Sequence, residues 1–259
     1  MDINIALTLS KKLAVAAGLK IMEIYNQDFD VEYKEDTSPL TLADKTANDI
    51  ILAGLRARFP DTAYLSEEEK DNKERLLATY CFIIDPLDGT KEFVKKNGEF
   101  TVNIALVKNG KPVMGVIYAP YLKDLYYASV DDGAYYKAYG EDPVSICVTN
   151  EITDLLLVGS KSHRSEKLDV LINKNSDKIA DLVSCGSSLK GCMVARGQAD
   201  IYYRFGLTCE WDTCAMQCIC ECAGAIVMQM DRTRLNYNRE NILNEKGFFI
   251  VNKPENIFI

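Results

Sequence analysis

The stretch CFIIDPLDGTKEF, residues 81–93, decides how the rest of the chain is read. Cys81 to Ile84 have the character of a buried strand running into Asp85, and Pro86, with no amide hydrogen to donate, should stop the ladder there. Asp88, Gly89 and Thr90 follow after one turn and lead into a short helix, with Asp88 or Gly89 at its N-cap. The amides of Gly89 and Thr90 would then point outward as an anion site. A strand end thus presents two carboxylates beside a phosphate cradle. Held about 4 Å apart, they repel by roughly 4 kcal/mol at an effective dielectric of about 20, so they persist only by sharing a proton or binding a cation. All-oxygen donors suit a hard ion such as Mg²⁺. The competing explanation, one Asp capping the turn and the other the helix, leaves Thr90 and the flanking acids unused.

Working outward, Ile3 to Tyr25 repeats apolar residues at three- and four-residue spacing, the pattern of an amphipathic helix. SPLTLAD (38–44) starts a second helix that runs to Phe59 and stops at Pro60. Strand-like runs follow at 63–65, 81–84, 100–107, 113–118 and 125–129, and Lys108-Asn109-Gly110-Lys111 reads as a hairpin turn. Past about Pro143 strands and helices alternate: strands at 155–159, 180–184, 201–205 and 225–230, helices at 166–173, 188–196 and 212–222. That order implies a layered α/β architecture in two closely packed halves, 1–143 and 144–259. The tyrosine pairs at 126–127, 135–136 and 202–203 read as sheet residues with one member exposed. Cys214, Cys218 and Cys222 share one helical face, which reads as core packing rather than a soft-metal site.

Composition narrows the function classes. The chain has 259 residues, 47% of them apolar and 26% charged, which excludes collagen-like, disordered and membrane-bundle architectures. Thirty basic against 38 acidic residues leave a net charge of −8, so a nucleic-acid duplex is not an expected partner. His163 is the single histidine, which excludes a site built on several imidazoles. The amino terminus lacks a basic leader, and no apolar run is long enough to span a bilayer comfortably. Nine cysteines without a CxxC pair read as free thiols in a reducing cytoplasm.

Further acids sit at comparable element ends: Asp44 in the first turn of the second helix, Glu67 and Glu68 after a short strand, and Asp212 beside Trp211. Singly, each is more often a cap or a solvated charge. Together, Ser66-Glu67-Glu68, DPLDGT (85–90) and Trp211-Asp212 resemble the signature of the lithium-sensitive, magnesium-dependent sugar-phosphatase superfamily, which includes inositol monophosphatase and fructose bisphosphatase. DPLDGTKEFVKKNGEFTVNIALV (85–107) and GSSLK (186–190) narrow the resemblance to its 3'(2'),5'-bisphosphate nucleotidase branch. It extends from SPLTLAD to NRENILN (238–244), nearly the whole chain. Cys214 and Met216 stand where many relatives have small residues.

The resemblance implies an αβαβα sandwich with the acids converging between the two halves. It implies metal ligands at Glu67, Asp85, Asp88 and Asp212 and at the Leu87 carbonyl, for roughly two or three Mg²⁺ ions. Asp44 would complete a further metal position and pair with Thr90, and the phosphate would rest on Gly89 and Thr90. Glu67 with the Thr90–Asp44 pair would position the attacking water. The implied substrate is a small nucleotide, 3'-phosphoadenosine 5'-phosphate (PAP), with the sulfated PAPS left open; oligomeric state, a homodimer included, is not fixed. Ser187, Lys190 and His163 are candidate nucleotide contacts, against a helix N-cap, a solvated lysine and a loop histidine; Arg204 is a weaker candidate for the second phosphate.

Three rivals are distinguishable. Haloacid-dehalogenase-type phosphatases also end a strand in a DxDGT motif, but with two-residue spacing and no intervening proline. An inositol monophosphatase-like enzyme would share every ligand and differ in substrate. A phosphate-sensing protein would keep the fold without turnover.

Overall fold

The computed structural model describes residues 1–26, 42–160 and 165–259. Two helices come first, α1 (Ile3–Tyr25) and α2 (Leu42–Arg58), followed by strands β1 (Ala63–Ser66) and β2 (Tyr80–Asp88). A one-turn helix α3 (Thr90–Val94) precedes β3 (Thr101–Lys108), β4 (Lys111–Ala119), β5 (Asp124–Ser129), β6 (Gly133–Lys137) and β7 (Val144–Ser145). The remainder alternates as β8 (Leu155–Gly159), α4 (Glu166–Lys174), β9 (Ile179–Ser184), α5 (Leu189–Ala195), β10 (Ile201–Arg204), α6 (Glu210–Cys222), β11 (Ile226–Gln229) and β12 (Phe248–Val251).

Strands β1 to β7 form one sheet in sequence order, parallel only between β1 and β2. The second sheet runs β11-β12-β10-β8-β9, with β8 parallel to both β10 and β9. Side chains alternate faces along a strand, and here each face meets a different core. On β2, Phe82 and Ile84 pack with Ala17, Ile21, Ile51 and Leu55 of α1 and α2. Cys81 and Ile83 face the opposite core, with Met216, Cys218 and Ile219 of α6. On β12, Phe248 and Ile250 enter that same central core, while Phe249 and Val251 join Leu168 and Leu171 of α4 on the far side. The layers are therefore α1/α2, the large sheet, α5/α6, the small sheet and α4, an αβαβα sandwich. Gly115 on β4 lets α6 press onto the large sheet, because a Cβ there would lie 2.5 Å from the Ala215 carbonyl oxygen.

This layering overturns one expectation from the sequence. Tyr126, Tyr127, Tyr136, Tyr202 and Tyr203 are all buried, so the pairs at 126–127 and 202–203 have no exposed member. A sheet covered on both faces hides successive residues, whereas the expectation assumed one wet face. The Cys214/Cys218/Cys222 face does pack inward, with Cys222 half-buried at its edge. The hairpin at 108–111 forms with Asn109 and Gly110 both at positive φ, 49° and 77°, as a two-residue primed turn needs. Strands β7 and β12 were not anticipated, β6 only through its tyrosine pair at 135–136, and β7 begins at Val144, so the large sheet extends past position 143. The start of the second helix, Ser38–Thr41, and His163 lie outside the described residues.

Candidate active site

The site is built at a flaw in β2. Contrary to expectation, Pro86 does not end the strand; pairing with β3 continues to Asp88 across a bulge. Asp85 faces Asn103 and Asp88 faces Thr101, so three steps on β2 oppose two on β3. In a regular strand, residues three apart point to opposite faces. The extra residue cancels that half-period and turns both aspartates to the same side, and Pro86 sits where its missing N–H costs no ladder bond. The Asp85 carboxylate accepts the Leu87 N–H at 3.1 Å, which tightens the bulge.

Asp212 arrives from the other half. Helix α6 begins at Glu210, two residues earlier than expected, and Asp212 occupies its third position. There its Oδ2 accepts the Cys209 N–H at 2.7 Å, as a capping carboxylate does. One carboxylate oxygen from each of Asp85, Asp88 and Asp212 lies within 4.8 Å of the others. At that separation each ionised pair repels by roughly 3 kcal/mol at a dielectric of about 20.

The repulsion is visible in the proton affinities. Burial first, then Glu67, Asp88, Asp212 and Asp44, pushes Asp85 well above the usual carboxylate range. Asp212 rises to about 7, through burial and then Asp88, against the Cys209 N–H and the charges of Arg204 and Lys190. Glu67 rises to about 8, through desolvation and then Asp212, Asp44 and Glu68, although a hydrogen bond with Asp85 works the other way. Glu67 is placed by the end of β1, where its N–H donates to the Ile84 carbonyl at 3.2 Å; the residue as a whole is exposed, while its carboxyl feels the charges of Asp212, Asp44 and Glu68. Asp44, in the first turn of α2, is buried. The five acids of the sequence reading thus share one electrostatic neighbourhood, and one oxygen from each of three of them lies within 4.8 Å of the other two. Hard oxygen donors, mutually repelling and at least half-buried in the case of Asp85, Asp88 and Asp212, fit a divalent cation.

Gly89 caps α3 at φ +94°, a conformation that favours glycine, and a Cβ there would lie 3.1 Å from the Glu99 carbonyl. Of the two N-cap candidates the structure therefore selects Gly89. The Thr90 hydroxyl donates to the Leu87 carbonyl at 3.4 Å.

The GSSLK segment behaves differently from its reading. Ser188, not Ser187, occupies the N-cap position of α5. The Ser187 hydroxyl donates to Asp88 Oδ2 at 2.6 Å, so its proton goes to a carboxylate of the cluster rather than outward. Lys190 is not a solvated lysine: it is 6% exposed, and its ammonium donates to the carbonyls of Ser187 and Cys185. Burial lowers its pKa against the attraction of Asp88.

A cleft of about 240 Å³ opens over the cluster, bounded by Thr90, Ser187, Lys190, Arg204, Asp212 and Phe248. Arg204 donates through Nη2 to the Leu207 carbonyl at 3.4 Å, while its buried Nε has no protein partner.

Sequence reasoning missed Thr101 and Asn103, both fully buried and hydrogen-bonded to each other at 2.9 Å. The signal was available, since polar residues inside the apolar run TVNIALV require partners. It also missed Glu210. This buried carboxylate accepts the N–H groups of Asn238 (2.6 Å) and Arg239 (2.9 Å) and pairs with the Arg239 guanidinium at 3.0 Å, fixing the NRENILN segment beside α6.

Comparison with known proteins gives a consistent picture. The pattern of the inositol monophosphatase family matches residues 5–256. A 3'(2'),5'-bisphosphate nucleotidase CysQ from Salmonella typhimurium is 44% identical over 237 residues, covering 90% of this chain and 94% of its own. The crystal structure of CysQ from Bacteroides thetaiotaomicron, 39% identical, matches with a TM-score of 0.85 over 96% of this chain and 97% of its own. An IMPase from Thermotoga maritima, 26% identical, matches at 0.80 over 95% and 92%.

Proposed function

The chain belongs to the inositol monophosphatase family, and from that premise we propose that it is a 3'(2'),5'-bisphosphate nucleotidase that hydrolyses PAP to AMP and phosphate, with PAPS as a second substrate. The observation that carries the reading is the convergence of Asp85, Asp88 and Asp212 within 4.8 Å, with Asp88 and Asp212 lining a cleft. Its wall holds Lys190 and Arg204, the latter with a free buried donor. Acids alone would serve any phosphate monoester. The basic wall suits a substrate that carries a second phosphate. No helix among the described residues is long and apolar enough to cross a membrane, in keeping with the cytoplasmic setting we propose.

In this reading Glu67, Asp85, Asp88, Asp212 and the Leu87 carbonyl would hold two or three Mg²⁺ ions. When bound, the ions supply Lewis acidity to the phosphate oxygens and offset the charge that develops there. The amides of Gly89 and Thr90 receive the scissile phosphate. Asp44 and Thr90 orient the attacking water, and Glu67 accepts its proton. The water oxygen bonds to phosphorus, the bond from phosphorus to the 3'-oxygen breaks, and that oxygen leaves with a proton from solvent. Arg204 and Lys190 hold the second phosphate. The Ser187 hydroxyl, committed to Asp88, shapes this wall rather than contacting the nucleotide.

Phosphate release from PAP, PAPS and inositol 1-phosphate, with Mg²⁺ and with added Li⁺, tests the proposal. PAP should be preferred over inositol 1-phosphate by at least about tenfold in kcat/KM, Li⁺ should inhibit, and Asp88→Asn should abolish turnover, charge stabilisation being the largest single contribution. Preference for inositol 1-phosphate would overturn the substrate; near-native activity of Asp88→Asn would overturn the site.

A further inference from the structure

The charge of Asp88 is answered by the other half of the molecule. Its Oδ2 accepts the Ser187 hydroxyl at 2.6 Å, the Ser188 N–H at 2.7 Å, the Ser188 hydroxyl at 2.8 Å and the Asn103 amide at 3.4 Å. A carboxylate oxygen has two lone pairs, so four donors leave Oδ2 nothing to offer a cation. We propose that Ser187, Ser188 and Asn103 act as positioning residues: they commit Oδ2 of Asp88 to the protein, present Oδ1 alone to the cation, and so set Mg²⁺ affinity. This rests on the reading of Asp88 as a cation ligand.

Each donor is itself held. The Thr101 hydroxyl donates to the Asn103 side-chain oxygen at 2.9 Å and so orients that amide, and its oxygen packs 2.6 Å from the Ser187 hydroxyl. That leaves the Asn103 NH₂ group to face Ser188 Oγ (3.0 Å) and Asp88. Ser188 Oγ also lies 3.2 Å from the Asp212 carbonyl, which ties the clamp to the first turn of α6. Ser187 adopts φ +52°, a conformation a serine adopts only when its surroundings impose it. What imposes it is on either side: the Lys190 ammonium binds the Ser187 carbonyl, and a Cβ on Gly186 would lie 2.7 Å from the Glu99 carbonyl, so the turn is seated against the first half. Thr101 and Asn103 come from β3 of the large sheet, Ser187 and Ser188 from the turn before α5. The clamp closes only when the halves meet, so the cation site is finished by their docking.

A purely packing role predicts a stability loss with unchanged cation binding. The positioning role predicts the reverse. Calorimetric titration of Mg²⁺ into the EDTA-treated full-length protein, without substrate, separates them. Ser187→Ala and Ser188→Ala should each weaken Mg²⁺ binding by about tenfold, the scale seen when an outer partner of a ligand is removed. Ser188→Thr, which keeps the hydroxyl, should recover most of the affinity. Saturating Mg²⁺ should restore kcat in Ser188→Ala. If both bind Mg²⁺ within twofold of wild type while Asp88→Asn does not bind, the clamp is refuted and the ligand stands. If Asp88→Asn also binds like wild type, the ligand reading fails with it. Should Ser188→Ala not fold, Ser187→Ala decides alone, since its backbone N–H takes no part in the clamp.

Discussion

Replacing Asp212 by Asn should stabilise the cation-free protein while disabling the cation-bound one. The substitution removes a charge and keeps the shape, and the amide oxygen can still accept the Cys209 N–H, now 2.7 Å from Oδ2. Burial and Asp88 raise Asp212 from 3.8 to about 7 in the folded state. The unfolded chain titrates at the ordinary value, so between those limits the folded state holds more protons, and stability falls as pH rises through the window. Roughly three pH units at about 1.4 kcal/mol each amount to about 4 kcal/mol above pH 7. Because Asp212 is partly open to solvent, screening reduces this by about half, to ~2 kcal/mol. For a chain of this size that corresponds to a rise in Tm of about 4–8 °C. Urea and thermal unfolding in EDTA at pH 8.5 should show the gain, and at pH 5, low in the window, it should shrink to under about 1 kcal/mol. Adding Mg²⁺ should reverse the order, because only the wild type gains from binding. The reasoning is refuted if Asp212→Asn is no more stable than wild type at pH 8.5 in EDTA, or if its advantage is the same at pH 5.

Other substitutions probe separate links. Gly89→Ala forces a side chain to φ +94° with its Cβ 3.1 Å from the Glu99 carbonyl, so unfolding curves should show a loss of about 1–3 kcal/mol, and phosphate release should fall at least about tenfold. Glu210→Ala strips the fully buried acceptor from Arg239 and should cost about 3 kcal/mol in urea unfolding, with Mg²⁺ binding to the surviving fold nearly unchanged. Arg204→Ala should raise KM for PAP by about tenfold or more and leave inositol 1-phosphate hydrolysis untouched, as steady-state kinetics on the two substrates would reveal.

The sequence carried the acids and the order of layers more clearly than the geometry joining them. Spacing identified α1 because a helix exposed on one side must alternate every three or four residues, and α2 was legible from its start signal and from Pro60, which cannot continue a helix. Strand β12 escaped, since Phe248-Phe249-Ile250-Val251 is apolar on both faces and shows no alternation when cores lie above and below it. The tyrosine pairs were misjudged for the same reason. At the site, Pro86 was read correctly as a break in the ladder but wrongly as its end: a lost donor is compatible with a bulge as well as with termination, and only the register against β3 decides. Lys190 could not be assigned from its own neighbours in sequence, because its carbonyl partners come from the turn at 185–187, whose course depends on contact with Glu99. Asn103 was legible in principle. A buried amide in the middle of a hydrophobic strand announces a polar partner, though not that the partner would be Asp88.

These features explain how one cleft handles opposite charges. Asp85, Asp88 and Asp212 gather beneath the cleft, the last two lining it, because a bulge realigns two of them and a helix start delivers the third. Left ionised, they repel one another and attract Lys190 and Arg204 from the wall; Asp212 already feels both cations. A cation on the floor satisfies the acids and frees the wall to face an anion. Lys190 is pinned by two carbonyls, so it cannot swing down to neutralise the floor itself. Arg204 keeps its Nε aimed at no protein acceptor. Holding the basic groups back from the acids costs stability in the cation-free protein, and the same separation leaves positive charge for a second phosphate once the floor is filled. A Lys190→Met protein would test this coupling: nucleotide binding should weaken more than Mg²⁺ binding does, whereas equal loss of both would mean that Lys190 serves only to shape the turn.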